Sequence, residues 1–259
     1  MDNKWGIRKV EVLKKKGRTI IIYGEAGRGK TSLIDTLKGN TLLINLDCGE
    51  QVLNGKHIDV FPLITSSHKD YETAIRKFEG FVKWLLEQSE LPWKNIVVDN
   101  ISELQDAYME ALQGSRGVKY PRQLDYRDTG IEMKRHLRDL RNLTYKGTNV
   151  IYIAWEDTNK IEDFGGEVQS EKQPMIMGKS CKTVMGLVDF CMALRVDKKG
   201  NRYLQLDGDH KYMCKKREEP GQEFPSYIAC PKGAKDTLQS FFDMVQKEDY
   251  NEQGKEAAA

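Results

Sequence analysis

The stretch Thr19-Ile20-Ile21-Ile22-Tyr23-Gly24-Glu25-Ala26-Gly27-Arg28-Gly29-Lys30-Thr31-Ser32 decides the fold. Its first five residues are apolar or β-branched, show no alternation and stop at glycine. A strand buried on both faces of a parallel sheet reads that way. Gly24 to Thr31 then spell G-x-x-x-x-G-K-[ST] with no departure. Gly24, Gly27 and Gly29 let the backbone bend, so that N–H groups from Glu25, Ala26, Arg28 and Ser32 can face phosphate oxygens. Lys30 is the cation for the β- and γ-phosphates, and the Thr31 hydroxyl is a ligand for Mg²⁺. Leu33, Ile34 and Leu37 recur at helical spacing. The sequence therefore predicts a helix whose positive end faces the same anion, stopped by Gly39-Asn40.

Outward from this stretch, strands and helices alternate. Residues 41–46, 57–63, 95–99 and 149–155 read as further strands. Residues 70–88, 102–112 and 128–143 carry apolar residues at steps of three and four and read as helices, the last capped by Asp128 or Thr129. Between them, 113–127 holds Gly114, Gly117 and Pro121 and reads as a loop. Residues 157–180 are polar and aperiodic and read as a second loop. Residues 190–196, 202–206 and 210–214 look like a β-meander, with a hairpin turn at Lys199-Gly200-Asn201. A short helix is expected over 237–245. The expectation is an α/β fold: a mainly parallel sheet flanked by helices, the strand after residue 18 near its middle, with a C-terminal β-meander. Residues 1–17 form an N-terminal extension, 18–246 one domain, and 247–259 a disordered tail.

Composition narrows the function classes. The chain has 259 residues, with 41 Lys and Arg against 39 Asp and Glu, a net charge of +2. That balance argues against a polybasic protein that coats duplex DNA. No run approaches ~18 apolar residues, so no membrane span is expected. The first residues lack the apolar core of a secretory signal, and the expected location is cytoplasmic. The 5 cysteines are scattered with no C-x-x-C pair, which favours reduced thiols over a zinc site. No pair of histidines has metal-ligand spacing.

Asp99 ends the apolar run Ile96-Val97-Val98. A carboxylate at a strand's C-terminal end beside the phosphate loop can hold a magnesium-bound water, the Walker B role. Asn100 follows it, so the Asp-Glu pair typical of AAA+ ATPases is absent, and the base comes from elsewhere. The second strand ends in Asp47-Cys48-Gly49-Glu50. Glu50 is the candidate base, Asp47 the reserve, and a solvated loop acid the alternative. Glu156, after the fourth strand, is either a γ-phosphate sensor or a solvated acid. Lys215-Lys216-Arg217 is either a solvated face or an arginine finger that reaches a neighbouring subunit.

At this point the chain resembles the RecA-like P-loop ATPases, and within them the phage-encoded nucleotide-binding proteins of the single-strand annealing and recombination group. The resemblance rests on Gly24 to Thr31, Val97-Val98-Asp99-Asn100 and Ile153-Ala154-Trp155-Glu156. It also takes in Pro174-Met175-Ile176-Met177-Gly178-Lys179 with Leu187-Val188-Asp189, and Lys215-Lys216-Arg217. The resemblance implies an ATPase using ATP and Mg²⁺, stimulated by single-stranded DNA. It implies a homo-oligomer, ring or filament, with a single-strand-binding protein as a further partner and host cytoplasm as the place of action. The K-x-R spacing of related hexameric ATPases fits Lys215 and Arg217. RecA-like proteins often carry a glutamate two residues after the strand-two aspartate; here Gly49 stands there and Glu50 follows. Their DNA-gripping loops correspond to 113–127 and 157–180. The first offers Arg116, Lys119, Tyr120, Arg122, Tyr126 and Arg127, cations interleaved with rings as a phosphate track with base stacking requires. The competing classes are an AAA+ helicase loader with a helical lid, a small-molecule P-loop kinase and a slow nucleotide-dependent protein-binding switch.

Overall fold

The computed structural model describes residues 17–47, 49–53, 55, 57–63, 70–162, 168–178, 180–218 and 223–245, apart from the side chains of residues 70, 161, 162 and 168. Except for Gly17, the expected extension and tail lie outside the described residues, as does Cys48.

Among the described residues nine strands build one sheet: β1 (Thr19–Gly24), β2 (Thr41–Asn45), β3 (Ile58–Pro62), β4 (Asn95–Asp99), β5 (Asn149–Glu162), β6 (Val168–Pro174), β7 (Phe190–Val196), β8 (Arg202–Gln205) and β9 (Tyr227–Ala229). Their order is β3-β2-β4-β5-β1-β7-β8-β9, with β6 pairing β5 off this path. The six from β3 to β7 run parallel, and β8 and β9 add antiparallel at the edge. β1 thus lies near the middle, as expected, in the α/β arrangement of a P-loop NTPase.

The missing alternation in β1 has its cause in two cores. Ile21 and Tyr23 pack on one face with α1 (Asp70–Glu87), α2 (Ile101–Arg116), α3 (Gln123–Asn142) and α4 (Ser180–Leu187). Ile20 and Ile22 pack on the other face with Leu33, Ile34, Leu37 and the helical residues 237–245, which contribute Leu238, Phe241 and Phe242. Both faces of the strand leave water, so Ile20 to Tyr23 are all aliphatic or aromatic.

Five expectations need correction. The helix after the phosphate loop is a six-residue 3-10 turn, Thr31–Thr36, and the chain is extended at Leu37. Few residues separate β1 from β2, yet the chain must return across the sheet; a 3-10 turn rises ~2.0 Å per residue against ~1.5 Å for an α-helix. The loop expected over 113–127 shrinks to 117–122, because α2 runs through Gly114 and ends at Gly117, whose φ of 64° is the left-handed stop. α3 starts at 123, not 128, since Asp125 accepts from the Arg122 N–H. Most of the 157–180 loop is an antiparallel ribbon, Glu156–Glu162 against Val168–Pro174, followed by α4. Projecting past the sheet, the ribbon keeps Asp157, Thr158, Lys160, Gln169 and Ser170 exposed, so it shows no apolar period. Residues 210–214 make one isolated bridge, at Tyr212, and β9 is the third strand of the meander.

Candidate functional site

The phosphate loop leaves β1 between two parallel neighbours. A Cβ at Gly24 would lie 2.7 Å from the Leu194 carbonyl oxygen on β7, so only glycine allows this close passage. Gly27 (φ 71°) and Gly29 (φ 87°) take left-handed conformations. Residues 25–28 face solvent, while Lys30 is buried at 7% exposure. Its Nζ donates to the carbonyls of Gly24 (2.8 Å) and Glu25 (2.9 Å). Burial pulls the Lys30 ammonium below its ordinary pKa, and Asp99, Asp47, Glu156 and Glu25 act against that. Arg28 is ion-paired to Glu25.

Beneath the loop the Thr31 hydroxyl donates to Asp99 Oδ2 at 2.6 Å. Asp99 ends β4, and parallel register sets Asn45 of β2 beside it. The Asn45 amide donates to Glu50, which holds the candidate base one strand over from Asp99. Gly49 packs against Thr31: a Cβ there would lie 3.4 Å from Oγ1. Asn100 explains its own identity. Its Oδ1 caps α2 by accepting from the Glu103 N–H at 2.7 Å, and its Nδ2 donates to Asp47 at 2.9 Å. Asn45 Oδ1 is buried without a hydrogen-bond partner. With Thr31 and Asp99 this gives oxygen donors of the kind Mg²⁺ takes. The observed residues fit both groups: Gly24–Ser32 for the triphosphate, Thr31 and Asp99 for the metal.

Burial drives the Asp99 carboxyl up from 3.8 to about 7, with Asp47 adding to the rise; the Thr31 bond and Lys30 oppose it. Between those two values the native state holds a proton that the unfolded chain has lost. Stability from this group therefore falls as pH rises through the window, and the penalty is complete above about 7. Asp99→Asn is expected to raise the melting temperature of the nucleotide-free protein at pH 8 by roughly 5 °C or more and to flatten its decline from pH 5 to 8. Thermal melts across that range check it; an unchanged slope refutes it.

Other expected residues fall elsewhere. Glu156 is held by Lys172 of β6 at 2.9 Å, so it is not a solvated acid. Lys215 Nζ donates to the carbonyls of Met185 and Val188 (both 2.7 Å), at the end of α4. Arg217 pairs with Asp189 at 2.9 Å, whose other oxygen accepts from the Thr19 N–H. Thr19 begins β1, so Arg217 lies at the opposite edge of the sheet from its own phosphate loop. Arg116 and Arg122 both pair with the buried Asp125, and Arg127 pairs with Asp128. Lys119 lies over the Tyr120 ring, and Tyr120 and Tyr126 are exposed at 71% and 51%. α3 carries this segment toward the phosphate-loop edge: Leu137 bonds mid-strand Tyr152, and Thr144 bonds Gly17 at the other edge. His136 gathers with Glu79 and Glu132 across α1 and α3, and the Arg135 guanidinium reaches all three.

Sequence reading missed Asn45, Arg202 and the pairing of Lys172 with Glu156. The Lys172–Glu156 pair lacked a signal, since it spans two strands, and Asn45 gained its place only from the parallel register beside Asp99. Arg202 follows a recognisable turn one strand beyond β7 and was open to notice. Among the described residues no helix is long and apolar enough to cross a membrane.

The family described as "AAA domain" matches residues 16–218. Among curated proteins none matches the chain.

Proposed function

We propose, from the premise that this chain belongs to the AAA-domain family of P-loop ATPases, that it hydrolyses ATP with Mg²⁺ while acting, as an oligomer, on single-stranded DNA in recombination or annealing of the phage type. The observation that carries the ATPase part is the Thr31–Asp99 hydrogen bond beneath Lys30. It joins the loop hydroxyl to the strand-end carboxylate, the pair that holds the metal in this chemistry. Bound Mg²⁺ would neutralise phosphate charge. Lys30 supplies a second, fixed positive charge from inside the protein, and Asp99 and Thr31 orient the metal's shell. Glu50, tethered by Asn45, is the base in this reading, with Asp47 beside Asn100 the reserve.

Three features support the DNA part. Tyr120, Tyr126 and Lys119 stand exposed or ring-stacked on the phosphate-loop side. The strands at 190–205 stand where a loader would carry a helical lid. A cavity of about 740 Å³ opens at the root of the ribbon, lined by Gln105, Asp157, Asn159, Gln173, Met177 and Lys182, among others. The Lys182 ammonium offers a phosphate contact and the amides offer partners for a base edge, beside the Asp157 carboxylate. Turnover measured with and without single-stranded DNA tests this reading. The expected result is stimulation, reduced about tenfold in DNA affinity by Tyr120→Ala. No stimulation and no binding at low salt sink it.

Lys215 and Arg217 cannot serve their own loop, so any part they take in hydrolysis runs through a neighbouring subunit. Their bonds to α4 and Asp189 favour a second reading, a tie between α4 and β1. Arg217→Ala separates the two. A trans finger predicts lower kcat at unchanged melting temperature, with activity regained on mixing with Lys30→Ala subunits. A tie predicts lower melting temperature and no such rescue.

A further inference from the structure

We propose that Arg202 is a nucleotide-binding side chain, which grips the phosphates nearer the nucleoside from the side of the loop opposite Lys30. The inference rests on the nucleotide reading above and deepens it. The residue reaches the loop through the β7–β8 hairpin. β7 ends at the phosphate-loop edge, and Asp197 closes the turn by accepting from the N–H groups of Lys199 and Asn201. Gly200 takes φ 84° there, and the chain reverses to set Arg202 opposite Val196.

The guanidinium lies against Arg28 and Gly29. One terminal nitrogen donates to the Arg28 carbonyl at 3.4 Å, and Nε donates to the Cys230 carbonyl at 3.2 Å. A Cβ at Gly29 would overlap that terminal nitrogen. Gly29 is thus required twice, for its φ of 87° and for the room it leaves Arg202. A guanidinium has five N–H donors, and the two bonds above leave donors over. No carboxylate stands within ion-pair distance of Arg202 among the described residues. The neighbouring arginines differ: Arg28 is paired with Glu25, and Arg195 lies between the Tyr203 and Tyr212 rings with Asp209 at 3.9 Å. A half-buried cation without a counter-charge, set against a loop built for anions, has phosphate as its natural partner.

Its position says which phosphate. Lys30 occupies the Gly24–Glu25 side, and in this loop type the lysine goes to the β- and γ-phosphates. With the lysine assigned to the terminal phosphates, Arg202, on the Arg28–Gly29 side, is assigned those nearer the nucleoside. An interaction there is present in the diphosphate as in the triphosphate, and changes little as the terminal bond breaks. It belongs to binding rather than to the chemical step.

The experiment is calorimetric titration of the intact chain with ATP and ADP, beside steady-state kinetics, for the parent, Arg202→Ala, Arg202→Lys and Lys30→Ala. Arg202→Ala is expected to weaken ATP and ADP alike, roughly 10- to 100-fold. The loss should appear in KM more than in kcat. Arg202→Lys should recover part of the affinity, because the charge remains. Unchanged ATP and ADP affinities in Arg202→Ala overturn the inference. So does a loss no smaller in Arg202→Lys that goes with a lowered melting temperature of the free protein, the mark of a strut that only props the loop. If the parent binds neither nucleotide, the nucleotide reading itself falls and takes this one with it. If the parent binds and only Lys30→Ala is impaired, Arg202 alone is wrong.

Discussion

Lys30→Ala is expected to lower ATP turnover by about a thousandfold or more. Three observations set the size. Lys30 is buried, so its charge acts with little water between it and a bound anion. No other cation in the loop can substitute: Arg28 is exposed and tied to Glu25, and Arg202 approaches from the other side. The ammonium also bonds the Gly24 and Glu25 carbonyls, so its removal leaves both without that donor. Lys30→Met separates the roles, since it keeps the stem and discards the charge. Both variants should be dead, and the Met variant should melt closer to the parent. Turnover comparable to the parent in either one removes the central claim.

Thr31→Val carries the second large effect, a loss of turnover on the order of a hundredfold or more. Valine matches threonine in shape, so packing is kept while the hydroxyl is lost. That hydroxyl donates to Asp99 at 2.6 Å and helps hold the carboxyl down against burial. Its removal should drive Asp99 further toward the protonated form, which no longer serves a metal. Mg²⁺ titration of the residual activity should therefore saturate at higher concentration. Thr31→Ser, which retains the oxygen, should stay near the parent. A valine variant with the parent's Mg²⁺ dependence would show that Thr31 is not a ligand.

What the sequence disclosed was decided by how local the physics is. The phosphate loop, the buried strands and Asp99 were readable because glycine conformation, two-sided burial and a strand-end acid all write themselves into adjacent residues. β5 was read only to Trp155, since its continuation pairs with β6 alone and needs no apolar face. The start of α3 was placed late because Asp125, not Asp128, bonds the preceding backbone, and either acid fits the pattern. The role of Asn100 was hidden for another reason. Its partners Asp47 and Glu103 flank it in space across two elements, and only packing brings the first of them near. The arginines of the expected DNA track looked free in a linear reading. Their carboxylate partners sit on the next helix, in a stretch read as part of the loop.

The fourteen-residue β5 has a mechanical meaning. Its first half is clamped between β4 and β1, and its second half leaves the sheet with β6 as a cantilever. The root of this beam is fastened at the nucleotide edge. Tyr23, the last residue before the phosphate loop, bonds the Lys172 carbonyl, and the Lys172 ammonium holds Glu156. Seven extended residues from Glu156 onward span about 23 Å. Turning the root by about 5° would swing the far end by about 2 Å, so a displacement too small to break a hydrogen bond at Gly24 becomes one large enough to change what touches the end of the arm.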